Sequence, residues 1–196
     1  MMGDSGRRSR LRSKIVAAFS LALALAACSG PPSTLFDLTA ANPPQARALR
    51  AQFRIGQPTA TADLDGDRIL VREQLTLATL SGVRWPEALP ALLRARLAQS
   101  FQNAGLARFV DGGSATAQYE LDLDIRSFEF DAQTSEAHID IAAWIVSLGS
   151  GRVEAVEIFT LRNPVASTEA ATIVAALDAA ASTVMTRIVA FVSKRL

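Results

Sequence analysis

The sequence predicts an α/β fold: a single domain in which two main helices pack against a mixed, mostly antiparallel sheet. Three observations carry that expectation. The segment "YELDLDIRSFEFD" (119–131) alternates apolar and polar residues at period two, and two similar segments follow it after brief turns. Two other segments, 86–103 and 168–194, instead repeat their apolar residues at intervals of three and four. Finally, about 169 residues remain once an export leader is removed, enough to bury one sizeable core.

The leader is the first element. Arg7, Arg8, Arg10, Arg12 and Lys14 stand against a single acid, Asp4, and the run from Ile15 to Ala27 carries no charge. A basic stretch followed by a short apolar one is the pattern of an export signal, and the apolar run is too short to span a ~30 Å hydrocarbon core comfortably. It ends Leu25-Ala26-Ala27-Cys28, with small residues where a peptidase would cut and the chain's only cysteine just after the cut. Residues 1–27 are therefore expected to be a lipoprotein signal peptide, cleaved between Ala27 and Cys28, with Cys28 the lipidated residue. Residues 28–33 would be the tether and 34–196 the domain.

Charge and cysteine usage narrow the function classes. The chain holds 20 Lys and Arg against 19 Asp and Glu; the leader removes five and one of them, leaving 15 and 18, a net charge of −3. No basic stripe with interleaved aromatics remains, which excludes a nucleic-acid interface of that kind. With no second cysteine, no intramolecular disulfide can form.

After the tether, "TLFDLTA" (34–40) predicts a first strand and "ANPPQ" (41–45) a loop, since consecutive prolines remove donors and disfavour helix. A second strand is expected within 46–56, with Leu49, Ala51, Phe53 and Ile55 on one face, followed by a loop over 57–62. Asp65-Gly66 marks a turn into a strand at 68–73. Asp63, Asp65 and Asp67 imitate the start of a calcium loop, but its sixth position is Arg68 and its twelfth Gln74, where glycine and a bidentate glutamate are needed. No metal is expected there.

The helix expected at 86–103 starts at Pro86 and is stopped by Gly105. Its stripe is Leu89, Leu92, Leu93, Leu97 and Phe101. A short strand (106–110) and a turn (111–114) lead into 119–131. There Tyr119, Leu121, Leu123 and Ile125 point one way, while Phe128 and Phe130 fall on the opposite parity, which requires a bulge or bend near Arg126–Ser127. Strands at 136–148 and 152–163 complete a meander. The last helix, 168–194, has Ser167 as its expected N-cap. Asp178 is its only charge between Ala170 and Thr186, so its far side covers a sheet or meets a partner.

The search for chemistry yields little. His138, the only histidine, lies on the polar phase of its strand beside Glu136 and Asp140, where a cross-strand ion pair with Glu129 is a better expectation than a catalytic base. The row Glu120, Asp122, Asp124 fits the wet face of an antiparallel sheet. No His/Cys cluster, P-loop or dinucleotide fingerprint occurs, so neither enzyme nor cofactor is expected.

The order of segments, from the lipobox through "FRIGQPTATADLDGDRILVR", "RWPEALPALLRARLAQSFQNAG", "YELDLDIRSFEF" and "AHIDIAAWIVSLGSGRVEAVEIFTLRNPV" to an alanine-rich helix, resembles the ABC-type transport auxiliary lipoprotein family. That family includes the lipoprotein partner of the paraquat-inducible transport system. The Arg84-Trp85 pair and the strand with Gly151, Val153 and Ala155 are its most telling pieces. The segment "AQFRIGQP" departs from it, lacking a longer proline-bearing stretch.

The resemblance implies a non-catalytic lipoprotein on the outer membrane, facing the periplasm of a Gram-negative cell. It would serve as docking subunit for an MCE-domain protein with an ABC permease and ATPase that move phospholipids or other hydrophobic molecules, and it leaves a homo-oligomer, such as a ring, open. Trp85 and the outer face of the last helix, marked by Asp178, are the candidate partner contacts, although Trp85 could equally pack inward as a helix-entry staple. Two other readings stand beside it: a lipoprotein that itself carries a hydrophobic ligand in a pocket, and an envelope hydrolase using His138.

Overall fold

Period-two alternation becomes a long, twisted meander. β6 (Tyr119–Asp131), β7 (Glu136–Ser147) and β8 (Val153–Pro164) pair antiparallel in sequence order. The computed structural model describes residues 33–46, 49, 51–106 and 117–196. The strand expected at 106–110 and the turn at 111–114 fall almost wholly outside the described residues, as do the leader and Cys28.

The parity change in β6 has the expected cause. Its register with β7 shifts between Ile125 and Ser127, so that Leu121, Leu123 and Ile125, then Phe128 and Phe130, are all buried on one face.

Before the meander come β1 (Thr34–Leu35), β2 (Phe53–Ile55), β3 (Thr59–Ala60), β4 (Arg68–Glu73) and β5 (Thr76–Arg84). The eight strands form one mixed sheet with the order β1-β5-β4-β6-β7-β8, while β2 and β3 also pair with β6. β2, β3 and β4 all run parallel to β6. The regular antiparallel pairs β4–β5, β6–β7 and β7–β8 supply most of the register.

The first half differs from expectation in several places. The strand expected over 34–40 keeps ladder pairing only at its first two residues, because beyond them the backbone turns to other partners: Thr39 N–H donates to Asp178 and Ala41 N–H to Ser100 Oγ. The expected loop at 57–62 holds β3, whose Thr59 pairs with Asp124. The whole of β5 has no counterpart in the sequence reading, because the turn before it is Gln74-Leu75, without the Asn-Gly or Asp-Gly signal that marks a tight hairpin. Gln74 adopts φ 54 to make that turn.

Helix α1 (Leu89–Asn103) follows β5. It starts three residues later than Pro86 suggests; Pro90 occupies the first turn, where a missing N–H costs nothing. Gly105, at φ 72, ends it. Helix α2 (Ala170–Arg195) has Glu169 rather than Ser167 at its N-cap; Ser167 Oγ instead donates to Thr172 Oγ1 at 3.1 Å.

Both helices lie on one face of the sheet. Leu92, Leu93, Leu97 and Phe101 of α1 and Leu177, Val184, Ile188 and Val192 of α2 join a single core with the inward residues of β6 and β7. Edge-to-face aromatic pairs tie the layers together, Phe53 with Phe101 at 4.9 Å and Phe159 with Phe191 at 5.9 Å. By length and composition α2 could cross a membrane, yet its apolar stripe from Ile173 to Val192 is buried in this core.

Candidate functional site

The sheet's other face is open, and its charged residues are mostly paired with one another. Arg54 of β2 donates to Glu120, and Thr59 Oγ1 donates to Asp124 at 3.0 Å. Asp140 accepts from Thr160 Oγ1 at 2.6 Å and lies 3.4 Å from Arg126. Arg162 bridges Asp131 and Glu136 at 3.4 and 3.3 Å. Within the acidic row Glu120 is paired with Arg54, while Asp124 is held by the neutral Thr59 hydroxyl. Among the described residues no group of His, Cys, Asp and Glu is arranged to hold a metal ion.

Asp122 is held differently. Burial raises its carboxyl above the ordinary carboxylate range, and the neighbouring Glu120 adds to the rise. Above it passes the backbone of Gly56, whose N–H donates to Leu121 O at 2.9 Å. A Cβ on Gly56 would stand 2.3 Å from Asp122 Oδ1. Gly56→Ala is expected to push that carboxylate aside and cost about 1 kcal/mol, which Asp122→Ala in the same chain should largely restore. Denaturant melts of the four proteins of the cycle check this.

Glu129 is the buried charge of this face, 1% exposed. The sequence suggests His138 as its partner. The register does place Glu129 opposite His138, but Nδ1 is 3.9 Å from Oε1. The guanidinium of Arg72 holds Glu129 through two hydrogen bonds, one of 3.0 Å from Nη2 to Oε2. This pairing exists because β4 runs parallel beside β6, a topology to which neither local sequence points.

Burial lowers the His138 pKa below 6.5, and Arg162 lowers it further, against the opposing pull of Glu129. His138 is thus neutral near pH 7. Between its folded pKa and 6.5 the unfolded chain binds more protons than the folded one, so this residue makes stability fall as pH drops below 6.5. With one histidine in the chain, its NMR titration is unambiguous. A midpoint under 6.5, and a flatter acid dependence of stability in His138→Gln over that window, are expected.

The two candidate contact residues sit in the fold as follows. Trp85 is 1% exposed, with its ring edge-to-face on Phe128 at 6.0 Å and its backbone N–H donating to Asp67 O at 2.8 Å. The indole is a core side chain and offers no surface to a partner. Asp178, half-buried, accepts the Thr39 N–H at 2.6 Å, fastening the segment after β1 to α2. Neither pairing has a local signal in the sequence, since Thr39 and Asp178 are 139 positions apart.

Grooves and exposed apolar residues mark the rest of the described surface. An open groove of 440 Å³ runs past Tyr119, Ser147 and Leu148, and another of 480 Å³ lies between Pro43–Ala46 and the last turns of α2, beside Val189, Ala190 and Lys194. Val153, Val156 and Ile158 are exposed on β8, the terminal strand of the sheet, and Leu75 is wholly exposed at the β4–β5 turn.

An α/β domain with one sheet face covered by two helices and the other open and lined with mostly paired charges is the class that this geometry defines. The chain belongs to the ABC-type transport auxiliary lipoprotein component family, which it matches over residues 34–189. A crystal structure of a Xanthomonas campestris protein of DUF330, the same family, superposes with a TM-score of 0.70 at 27% identity, covering 84% of this chain and 95% of that one. A second crystal structure, of an uncharacterized protein, shares the fold at a TM-score of 0.66 and 14% identity, over 83% of this chain and 99% of its own.

A protein of Bradyrhizobium diazoefficiens is 34% identical over 143 residues, 70% of this chain; the match spans only 38% of that relative's length. The family is one of transport-associated lipoproteins of the cell envelope rather than of enzymes.

Proposed function

We propose that the chain is an outer-membrane lipoprotein that docks an MCE-domain protein, with its ABC permease and ATPase, in the transfer of phospholipids or other hydrophobic molecules across the envelope. One observation carries this reading: the family match begins at Thr34, six residues after a Leu-Ala-Ala-Cys lipobox that closes a basic, then apolar leader. Cleavage after Ala27 would leave Cys28 to carry the acyl chains, and several chains together anchor a protein stably, at about 0.8 kcal/mol per buried CH₂. Ser29 stands where an aspartate would argue for retention at the inner membrane, which favours the outer one.

Among the described residues the charges of the open face are mostly paired with one another, which supports a docking reading. The test is affinity capture of the full-length, lipidated chain from solubilised envelopes, read by mass spectrometry. An MCE-domain protein recovered with its permease and ATPase is the expected result. Stoichiometric lipid recovered with the purified chain, and no MCE protein, would favour instead a carrier that uses the groove beside Val189 and Lys194.

A further inference from the structure

The strand register shows which end of the domain can stand on a bilayer, and what meets the bilayer there. Leu35 of β1 pairs with Arg84, and Arg84 pairs with Arg68, so Leu35 and Arg68 are level in the sheet. From Arg68 the β4 strand continues five residues to Glu73 before the turn, so Leu75 stands roughly 20 Å beyond Leu35 at about 3.3 Å per residue. β1 is parallel to β5, which runs away from that turn. Thr34, the first residue of β1, is therefore at the end of that strand nearer to Leu75. Cys28, seven residues ahead of Leu35, can be at most about 25 Å from it. A fully extended tether is long enough to bring Cys28 to the height of the hairpin tip.

The opposite end does not fit. On β7 the level of Leu35 corresponds to Asp140, partner of Ser127, and Leu148 lies eight residues past it, about 27 Å away in the other direction. Placing Leu148 on the bilayer would ask for more than a fully stretched tether, pulled against the direction in which β1 enters.

We propose that the β4–β5 tip is a membrane contact, with Leu75 entering the lipid surface beside the acylated Cys28; this rests on the lipidation reading above. Leu75 is 99% exposed at the apex of a two-residue turn whose first position, Gln74, is forced to φ 54. Such a turn favours glycine and asparagine, and folding gains nothing from an aliphatic apex. Leu77, also exposed, follows two residues later. The cations at this end, Arg72 and Arg162, are both held by carboxylates, so the contact is apolar and needs no anionic lipid. One tip beside one acylated residue fixes the tilt of the domain, which the lipid anchor alone leaves free. The β7–β8 turn and the C-terminal ends of both helices then face away from the membrane.

The experiment uses the full chain, expressed with its leader, purified after lipidation and placed in phosphatidylcholine vesicles. Leu75→Cys and Leu148→Cys each add one free thiol at an exposed position, since the Cys28 sulfur is consumed by its thioether, and each is labelled with an environment-sensitive fluorophore. The expected result is a blue-shifted label at position 75, quenched by aqueous iodide at least about fivefold less than the label at 148. Equal quenching at the two positions, or shielding at 148 instead, on protein whose mass shows the acyl chains, overturns the proposal alone. A mass without acyl chains overturns the lipidation reading, and the proposal with it.

Discussion

Cys28→Ser is expected to abolish fatty-acid incorporation completely and to leave a chain that retains its first 27 residues. A thioether needs a thiol, and the sequence holds only one cysteine. Metabolic labelling with a fatty acid and the intact mass of the product check both parts. Each acyl chain contributes about 0.8 kcal/mol per buried CH₂, so loss of the anchor changes membrane retention by many orders of magnitude once the leader is also removed. A version in which a cleavable signal ending in alanine replaces residues 1–27 and serine replaces Cys28 should therefore appear wholly in the soluble fraction. Label retained in Cys28→Ser, or wild-type chain washed off membranes by carbonate, would remove the basis of the anchoring model.

Trp85→Ala is expected to destabilise the folded domain by about 3–5 kcal/mol, because it empties a fully buried site and removes the ring packed on Phe128. For a domain of this size the thermal midpoint should fall on the order of 10 °C. Trp85→Phe, which keeps an aromatic face toward Phe128, should lose distinctly less. Calorimetry decides: a partner-contact role for the indole predicts lost binding at an unchanged midpoint, and a core role predicts the reverse. Leu75→Ser, at a wholly exposed site, serves as the control and should stay within about 0.5 kcal/mol of wild type.

The long meander and both helices are legible in the sequence because their information is local. Alternation over 119–131 is clear, and even its bulge can be read from the parity change at Phe128 and Phe130. What cannot be read is pairing between distant segments. β4 reads as a strand, but nothing in "RILVRE" says that it will lie parallel to β6 and put Arg72 on Glu129. β5 goes unread for a different reason: "TLATLSGVR" is flanked on its outer side only by the two-residue β1 and has both faces largely exposed, so it lacks a buried phase, and Gln74-Leu75 gives no turn signal.

The candidate site divides in the same way. The proposed lipidation site is a contiguous motif, and the polar row of β6 follows from alternation. The destinations of Trp85 and Asp178 depend on Phe128 and Thr39, far away in the chain.

One topological feature bears on how such a chain would be delivered. β2, β3 and β4 all await β6 as their parallel neighbour, and Arg54 meets Glu120 only across 66 positions. A polypeptide threaded through a membrane pore with its amino end leading would expose the entire first half before its template strand emerged. Until then β2 and β3 have no ladder to join, and β4 has only its hairpin with β5. The connectivity of the sheet thus makes the parallel pairing of the first half wait on delivery of the second.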